Sequence, residues 1–208
     1  MAARRGVDVV HDEAGPPRRQ IVLIRHGRSA HGPTGWIDAA GLRAWREAYE
    51  RAGIREDESV PSALRAIVES ADLVLASDAP RAVVSARLLA PGREVVLSPR
   101  LRELELPGPE LGAVRLPLIG WAVAIGLRMR GMAWRGRFPS AVEVERVRDA
   151  AAWLDELAER HDRMVVVTHA SFRVELARDL ERAGWGHEPG RRGSRPWSAW
   201  VLSRRRLR

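Results

Sequence analysis

The chain of 208 residues has no cysteine, which excludes disulfides and thiolate metal sites and leaves no redox argument about its compartment. It has no lysine, so all 35 basic residues are arginine, and it has no asparagine. No apolar run approaches the length of a membrane span, and Asp8, His11, Asp12 and Glu13 interrupt any signal-peptide core after Arg4-Arg5. Internal repeats and long low-complexity stretches are also missing. What these absences leave is a cytoplasmic protein, long enough for one well-buried domain and slightly short for two.

The net charge of +8 suggests nucleic acid until its location is read. Residues 182–208 hold eight arginines against one glutamate, residues 111–137 hold five and no carboxylate, and the rest of the chain is net acidic. Basic residues interleaved with stacking aromatics, or set on a recognition helix, are lacking, which argues against nucleic acid; Arg204, Arg205 and Arg206 read as a solvated basic tail over 204–208.

Residues 1–19 have no hydrophobic periodicity and end near Gly15-Pro16-Pro17, so they read as a mobile leader before a domain over 20–203. The domain opens with Gln20-Ile-Val-Leu-Ile-Arg-His-Gly-Arg-Ser29, an apolar run that suits a strand covered on both faces. Asp38 caps a helix with Leu42, Trp45, Ala48 and Tyr49 on one face, ending at Gly53, and Pro61–Ser70 forms a second helix. Leu73–Ser77 is a strand leading into a helix over 79–90, and Glu94–Leu97 is a third strand. Residues 108–139 form a partly helical insertion, with Leu118, Trp121, Ile125, Met129 and Met132 at helical spacing. A helix over 141–160 feeds the strand Met164–Thr168 and a helix from Phe172 to Arg182, and Trp197–Leu202 is a last strand. Strands alternating with helices predict an α/β fold of three layers, α/β/α, around a mostly parallel sheet.

Ligands of such sheets gather at the strands' carboxyl ends. Two strands end there in His26 and His169, and the turn after a third carries Arg81 in Ser77-Asp-Ala-Pro-Arg-Ala-Val-Val-Ser-Ala86. With Leu101-Arg-Glu103 these elements resemble the histidine phosphatase superfamily, the phosphoglycerate-mutase-like proteins. That family has Arg-His-Gly after its first strand, a Ser-x-x-x-Arg-Ala turn, Leu-Arg-Glu after a later strand and a Val-rich strand ending in Thr/Ser-His. All four occur here in the family's order, over roughly residues 20–182.

The resemblance implies a phosphate-monoester hydrolase that acts through phosphohistidine on a small phosphorylated metabolite, without metal or cofactor. It makes His26 the nucleophile, with Arg25, Arg81 and His169 around the phosphoryl oxygens and Glu103 the proton donor; Glu105, two residues on, is the competing carboxylate. Fixed guanidinium and imidazolium donors suit the charge spread over three equatorial oxygens. The backbone N–H of Ala170, opening the next helix, adds to this anion site. The family's frequent Asn after Arg-His-Gly has no counterpart, so Arg28, Ser29, His31 or Thr34 must serve. Leu104-Glu-Leu-Pro107 after the glutamate departs from the mutases and favours a phosphatase; a phosphoglycerate-mutase-type transferase and a non-catalytic phospho-ligand binder are the alternatives.

His11, His31, His161 and His187 read as structural or solvated. Among the tryptophans Trp36, Trp121 and Trp134 are the expected substrate contacts, and the arginines and apolar residues of 111–137 are expected over the pocket mouth.

Overall fold

The computed structural model describes residues 18–32, 35–109, 111–190 and 192–205. The organising strand is β1 (Arg18–Arg25), whose residues Ile21, Val22, Leu23 and Ile24 are all buried. Alternation decides which way each points. Ile21 and Leu23 join an apolar cluster with Val147, Leu154, Leu176 and Leu180, while Val22 and Ile24 join another with Leu64, Val68, Ala82 and Ala86.

These two clusters are the two faces of one sheet. α1 (Ala39–Arg51), α2 (Ser62–Glu69), β2 (Leu73–Ser77), α3 (Pro80–Leu89) and β3 (Val96–Ser98) come first. A 3₁₀ turn (Pro99–Leu101), α4 (Leu118–Trp134), α5 (Ala141–Leu157), β4 (Arg163–Thr168), α6 (Ala170–Arg182), β5 (Gly186–His187) and β6 (Ala199–Arg205) follow. Residues of α5 and α6 pack on one face of the sheet and those of α2 and α3 on the other, which makes the three expected layers.

The sheet order is β3-β2-β4-β1-β6-β5. β3, β2, β4 and β1 are mutually parallel, whereas β6 runs antiparallel to both β1 and β5. Register then fixes the site: Arg25 lies opposite Thr168, and Ala76 of β2 opposite Val167, so the residues following β1, β4 and β2 leave the sheet at one edge. β6 begins there, with Ala199 opposite Ile24, so the segment leading into it also reaches that edge.

Several expected boundaries shift. Arg18 and Arg19, assigned to the leader, pair in β1 with Arg205 and Arg204, assigned to the tail. Arg204 is no solvated end: its guanidinium lies 2.7 Å from Asp155 and stacks on Trp185, because β6 brings it over α5; Arg206 lies outside the described residues. Trp197 is not in the final strand but has a left-handed backbone (φ 61°) just before it. α1 stops at Arg51 with extended Ala52, not at Gly53, although Asp38 caps it as expected, Oδ1 accepting from Gly41 N at 2.8 Å. The insertion is more helical than expected, with α4 spanning 17 residues.

Candidate active site

β1 delivers His26 and β4 delivers His169, and hydrogen bonding between the two strands continues one step beyond β1, His26 N donating to Thr168 O at 3.0 Å. The two imidazoles meet edge to face with centroids 5.1 Å apart, His26 being 3% exposed and His169 fully buried. His26 Nδ1 lies 2.7 Å from the carbonyl oxygen of Gly27. A carbonyl only accepts, so Nδ1 carries the hydrogen and Nε2 keeps its lone pair. Burial pushes the His26 pKa down to about 3, helped by the positive charges of Arg81, Arg25 and Arg173, and outweighs the Gly27 hydrogen bond that pulls it up. His169 is held well below its ordinary value by burial, then by Arg81. Its Nε2 is 2.9 Å from Ser77 Oγ, while its Nδ1 is buried with no hydrogen-bond partner.

Gly27 is required by close approach. A Cβ there would stand 2.6 Å from Cζ2 of Trp197, whose ring lies over the turn. Trp197 Nε1 donates to Glu58 Oε1 at 2.7 Å, and the same oxygen accepts from Arg28 N at 3.1 Å. Gly27 N donates to Ser85 Oγ at 2.9 Å, and that hydroxyl donates to Arg81 O at 2.6 Å, tying the turn to α3.

The arginines expected around a phosphoryl group are near the histidines, but their forks are already engaged. Arg81, 1% exposed, donates to Glu50 from Nη2 at 3.1 Å and Nη1 at 3.3 Å, and to Tyr49 O at 3.3 Å, with its guanidinium over the Tyr49 ring. Arg25 Nη1 donates to Ser194 O. Each keeps a buried Nε with no partner. Buried unpaired donors are costly, so these nitrogens favour an acceptor that the protein itself does not provide.

Glu103 is held at the start of α6. Its Oε1 accepts from Phe172 N at 2.8 Å and Leu104 N at 3.1 Å, and its Oε2 from Ser171 N at 3.3 Å. A carboxylate at a helix N-terminus satisfies orphan amides and opposes the helix dipole. It also corrects the expected anion site there: two amides after His169 already serve Glu103, leaving Ala170 as the residue beside them. Arg146 of α5 fixes the segment by donating to Arg100 O and Arg102 O, both at 2.9 Å, and to Glu103 O at 3.2 Å. Arg102 pairs through Nε and Nη2 with Asp78, at 2.6 and 2.7 Å, joining this segment to the turn after β2. Glu105 is exposed.

A cleft of about 390 Å³ opens beside His26, lined among others by Arg25, Arg28, Ser29, His31, Trp45 and Tyr49. Of the groups expected to replace the family's Asn, Arg28, Ser29 and His31 therefore border the cleft, and Thr34 lies outside the described residues. The His31 ring also packs against an aromatic row: it lies 5.2 Å from Trp45, which stacks on Tyr49 at 5.1 Å, and Tyr49 carries the Arg81 guanidinium at 4.6 Å. The expected tryptophans are elsewhere. Trp121 is core, donating to Ile37 O at 2.9 Å, while Trp36 and Trp134 are exposed. Of residues 111–137 only Leu118 lines the cleft; Arg128 and Arg130 do not line it. His187 is structural, 3.2 Å from Glu181 and edge-on to Trp200.

Sequence reasoning also misses Arg173, fully buried on α6 one turn after His169. It donates to Ser198 O at 2.6 Å, Gly193 O at 2.8 Å, Ser198 Oγ at 3.0 Å and Leu23 O at 3.3 Å, and stacks on Trp200. Burial pushes its pKa down to about 10. Its one sequence signal is an arginine at an inward position four residues after a strand-end histidine. Among the described residues no group of three or more His, Asp or Glu side chains is placed to hold a metal ion.

No protein-family model and no curated protein matches the sequence. Solved structures do. A mycobacterial glucosyl-3-phosphoglycerate phosphatase is 20% identical, covering 89% of this chain and 90% of that one with a TM-score of 0.55. A phosphoglycerate mutase from Bacillus anthracis is 14% identical, covering 91% and 89%, with a TM-score of 0.59. A phosphoserine phosphatase from Entamoeba histolytica, in complex with 3-phosphoglyceric acid, is 15% identical, covering 78% and 80%, with a TM-score of 0.50. At such identities the likeness is one of architecture, and together with the α/β/α layers it gives this chain a phosphoglycerate-mutase-like fold.

Proposed function

We propose that the protein hydrolyses phosphate monoesters of a small metabolite through a phosphohistidine at Nε2 of His26. The observation that carries this reading is the 2.7 Å contact between His26 Nδ1 and Gly27 O. It sets the tautomer, and a pKa of about 3 keeps the ring neutral at physiological pH, so the second nitrogen is a ready nucleophile.

In the first step Nε2 bonds to phosphorus, the phosphorus–ester oxygen bond breaks, and Glu103 gives its proton to the departing oxygen. Oε2, with its single long contact from Ser171 N, is the less engaged oxygen and the better placed to hand over a proton. In the second step Glu103 takes a proton from water, the water oxygen bonds to phosphorus, and the Nε2–phosphorus bond breaks, returning neutral His26 and inorganic phosphate. Charge on the transferring group is met by Arg25, Arg81 and His169. The Glu50 carboxylate on Arg81 is 60% exposed, so it can yield the guanidinium to a phosphoryl group by turning into solvent.

Incubation with a radiolabelled aryl phosphate, followed by a rapid base quench, tests the reading. Expected are an acid-labile, base-stable phosphoenzyme and release of phosphate without any bisphosphate primer, both lost in His26→Ala. Phosphate release by His26→Ala would overturn it, and turnover that requires a bisphosphate and yields a transferred ester would assign the mutase reaction instead.

A further inference from the structure

α4 is apolar on two sides. Its inner side holds Trp121, fully buried, with Leu118, Ile125, Met129 and Met132 partly buried beside it. At 3.6 residues per turn, positions 119, 123, 127 and 134 fall within about 80° of arc on the outer side. Ile119 is 73% exposed, Val123 57%, Leu127 67% and Trp134 86%. A soluble helix ordinarily turns polar residues to this side, so a contiguous aliphatic stripe ending in tryptophan marks a surface that meets a partner.

The charge around the stripe selects the partner. Residues 111–137 contain five arginines and no carboxylate. Arg130 falls within the arc of the stripe, and Arg128, Arg135 and Arg137, with Gly131 and the inner-side Met132, line a hollow of about 320 Å³ on the flank of the helix. A second copy would set arginines against arginines with no acid to meet them. The phosphate backbone of a nucleic acid would satisfy the arginines and leave Ile119, Val123 and Leu127 in water. An anionic bilayer surface answers both needs: the acyl boundary takes the aliphatic stripe, lipid phosphates take the guanidinium groups, and tryptophan favours the headgroup layer.

We infer that the outer face of α4 docks the protein on a membrane surface rich in anionic lipid. Docking is peripheral, since among the described residues no helix is long and apolar enough to cross a membrane.

Co-sedimentation of the full chain with vesicles of phosphatidylglycerol and phosphatidylcholine, against vesicles of phosphatidylcholine alone, tests this. Binding is expected to the anionic vesicles only, reduced at least tenfold by Val123→Ser with Leu127→Ser and likewise by Arg135→Ala with Arg137→Ala. Both double variants should keep the wild-type circular dichroism and hydrolysis of a small aryl phosphate. Absence of binding to anionic vesicles would overturn the inference. So would binding that neither variant weakens, which would assign it to the arginines near the C-terminus. A concentration-dependent dimer abolished by Val123→Ser with Leu127→Ser would instead assign the face to a second copy.

Discussion

Gly27 and Trp197 are locked together: any side chain on the first would enter the indole of the second, 2.6 Å from Cζ2 and 2.9 Å from Cε2. Trp197 is held from the far side by Glu58 and from its own backbone by Arg25 O, so the ring has little freedom to retreat.

Gly27→Ala is therefore expected to cost about 1–3 kcal/mol of stability, the usual range for overpacking. It should also lower turnover, because displacement of the Gly27 peptide disturbs the carbonyl that orients His26. Urea unfolding and steady-state kinetics measure the two effects. Adding Trp197→Ala should relieve part of the loss, giving a double variant less impaired than the sum of the singles; strict additivity would show that the ring is not the obstacle.

Glu103→Gln is expected to slow hydrolysis of alkyl phosphates by about 10²–10⁴-fold and of aryl phosphates with good leaving groups far less, since general acid catalysis matters most when the leaving oxygen is basic. Exposed Glu105 should tolerate the same change. A Brønsted plot of rate against leaving-group pKa distinguishes the two carboxylates, and a steepened slope in Glu105→Gln would reverse the assignment.

Trp45→Ala removes the middle of the stack His31, Trp45, Tyr49 along the cleft. KM for phosphate esters carrying an aromatic group should rise about threefold to tenfold, the worth of one aromatic contact, with kcat for the smallest substrates nearly unchanged. Equal losses on methyl phosphate and on benzyl phosphate would show that Trp45 acts through Tyr49 on Arg81.

The two site histidines make stability depend on acidity in a defined direction. Both are neutral in the folded protein, with His26 at about 3 and His169 well below its ordinary value, whereas in the unfolded chain each titrates near 6.5. Below that pH the unfolded chain binds more protons, so their contribution is complete above 6.5 and is lost as pH falls, for His26 down to about 3. For His26 this amounts to about 1.4 kcal/mol per pH unit over that interval, and His169 acts in the same direction. Urea titrations at pH 7 and pH 4.5 should therefore show a smaller loss in His26→Gln than in the wild type. Equal losses would mean that His26 is already charged in the folded protein.

β1, β4 and the residues that follow them were readable from the chain because four consecutive apolar residues in each dictate a strand covered on both faces, and a polar residue after such a strand has to emerge at its end. Arg81 was readable from its strand-to-helix turn. Trp45 and Tyr49 were not, since an apolar helical stripe looks the same whether it faces a core or a cleft. Arg173 was hidden for another reason. Its burial is stabilised by carbonyl oxygens of Leu23, Gly193 and Ser198, contributed by distant parts of the chain, and no local pattern announces such acceptors. The outer face of α4 breaks the amphipathic rule on which helix reading depends, and its inner stripe alone matched the expected spacing.

The position of β1 in the sheet has a consequence for the order of folding. Among the described residues it is the first strand, yet its neighbours are β4 and β6, and its residue Ile24 pairs with Val167 and Ala199. Contacts of such separation form only after a large loop is closed, and during synthesis they wait until Val167 and Ala199 have emerged. The strand that ends at Arg25, just before His26, is thus made early and seated late. In pulsed hydrogen exchange the amides of Ile21–Ile24 should gain protection after those of α5 and α6, and phosphate binding should appear only with that final step.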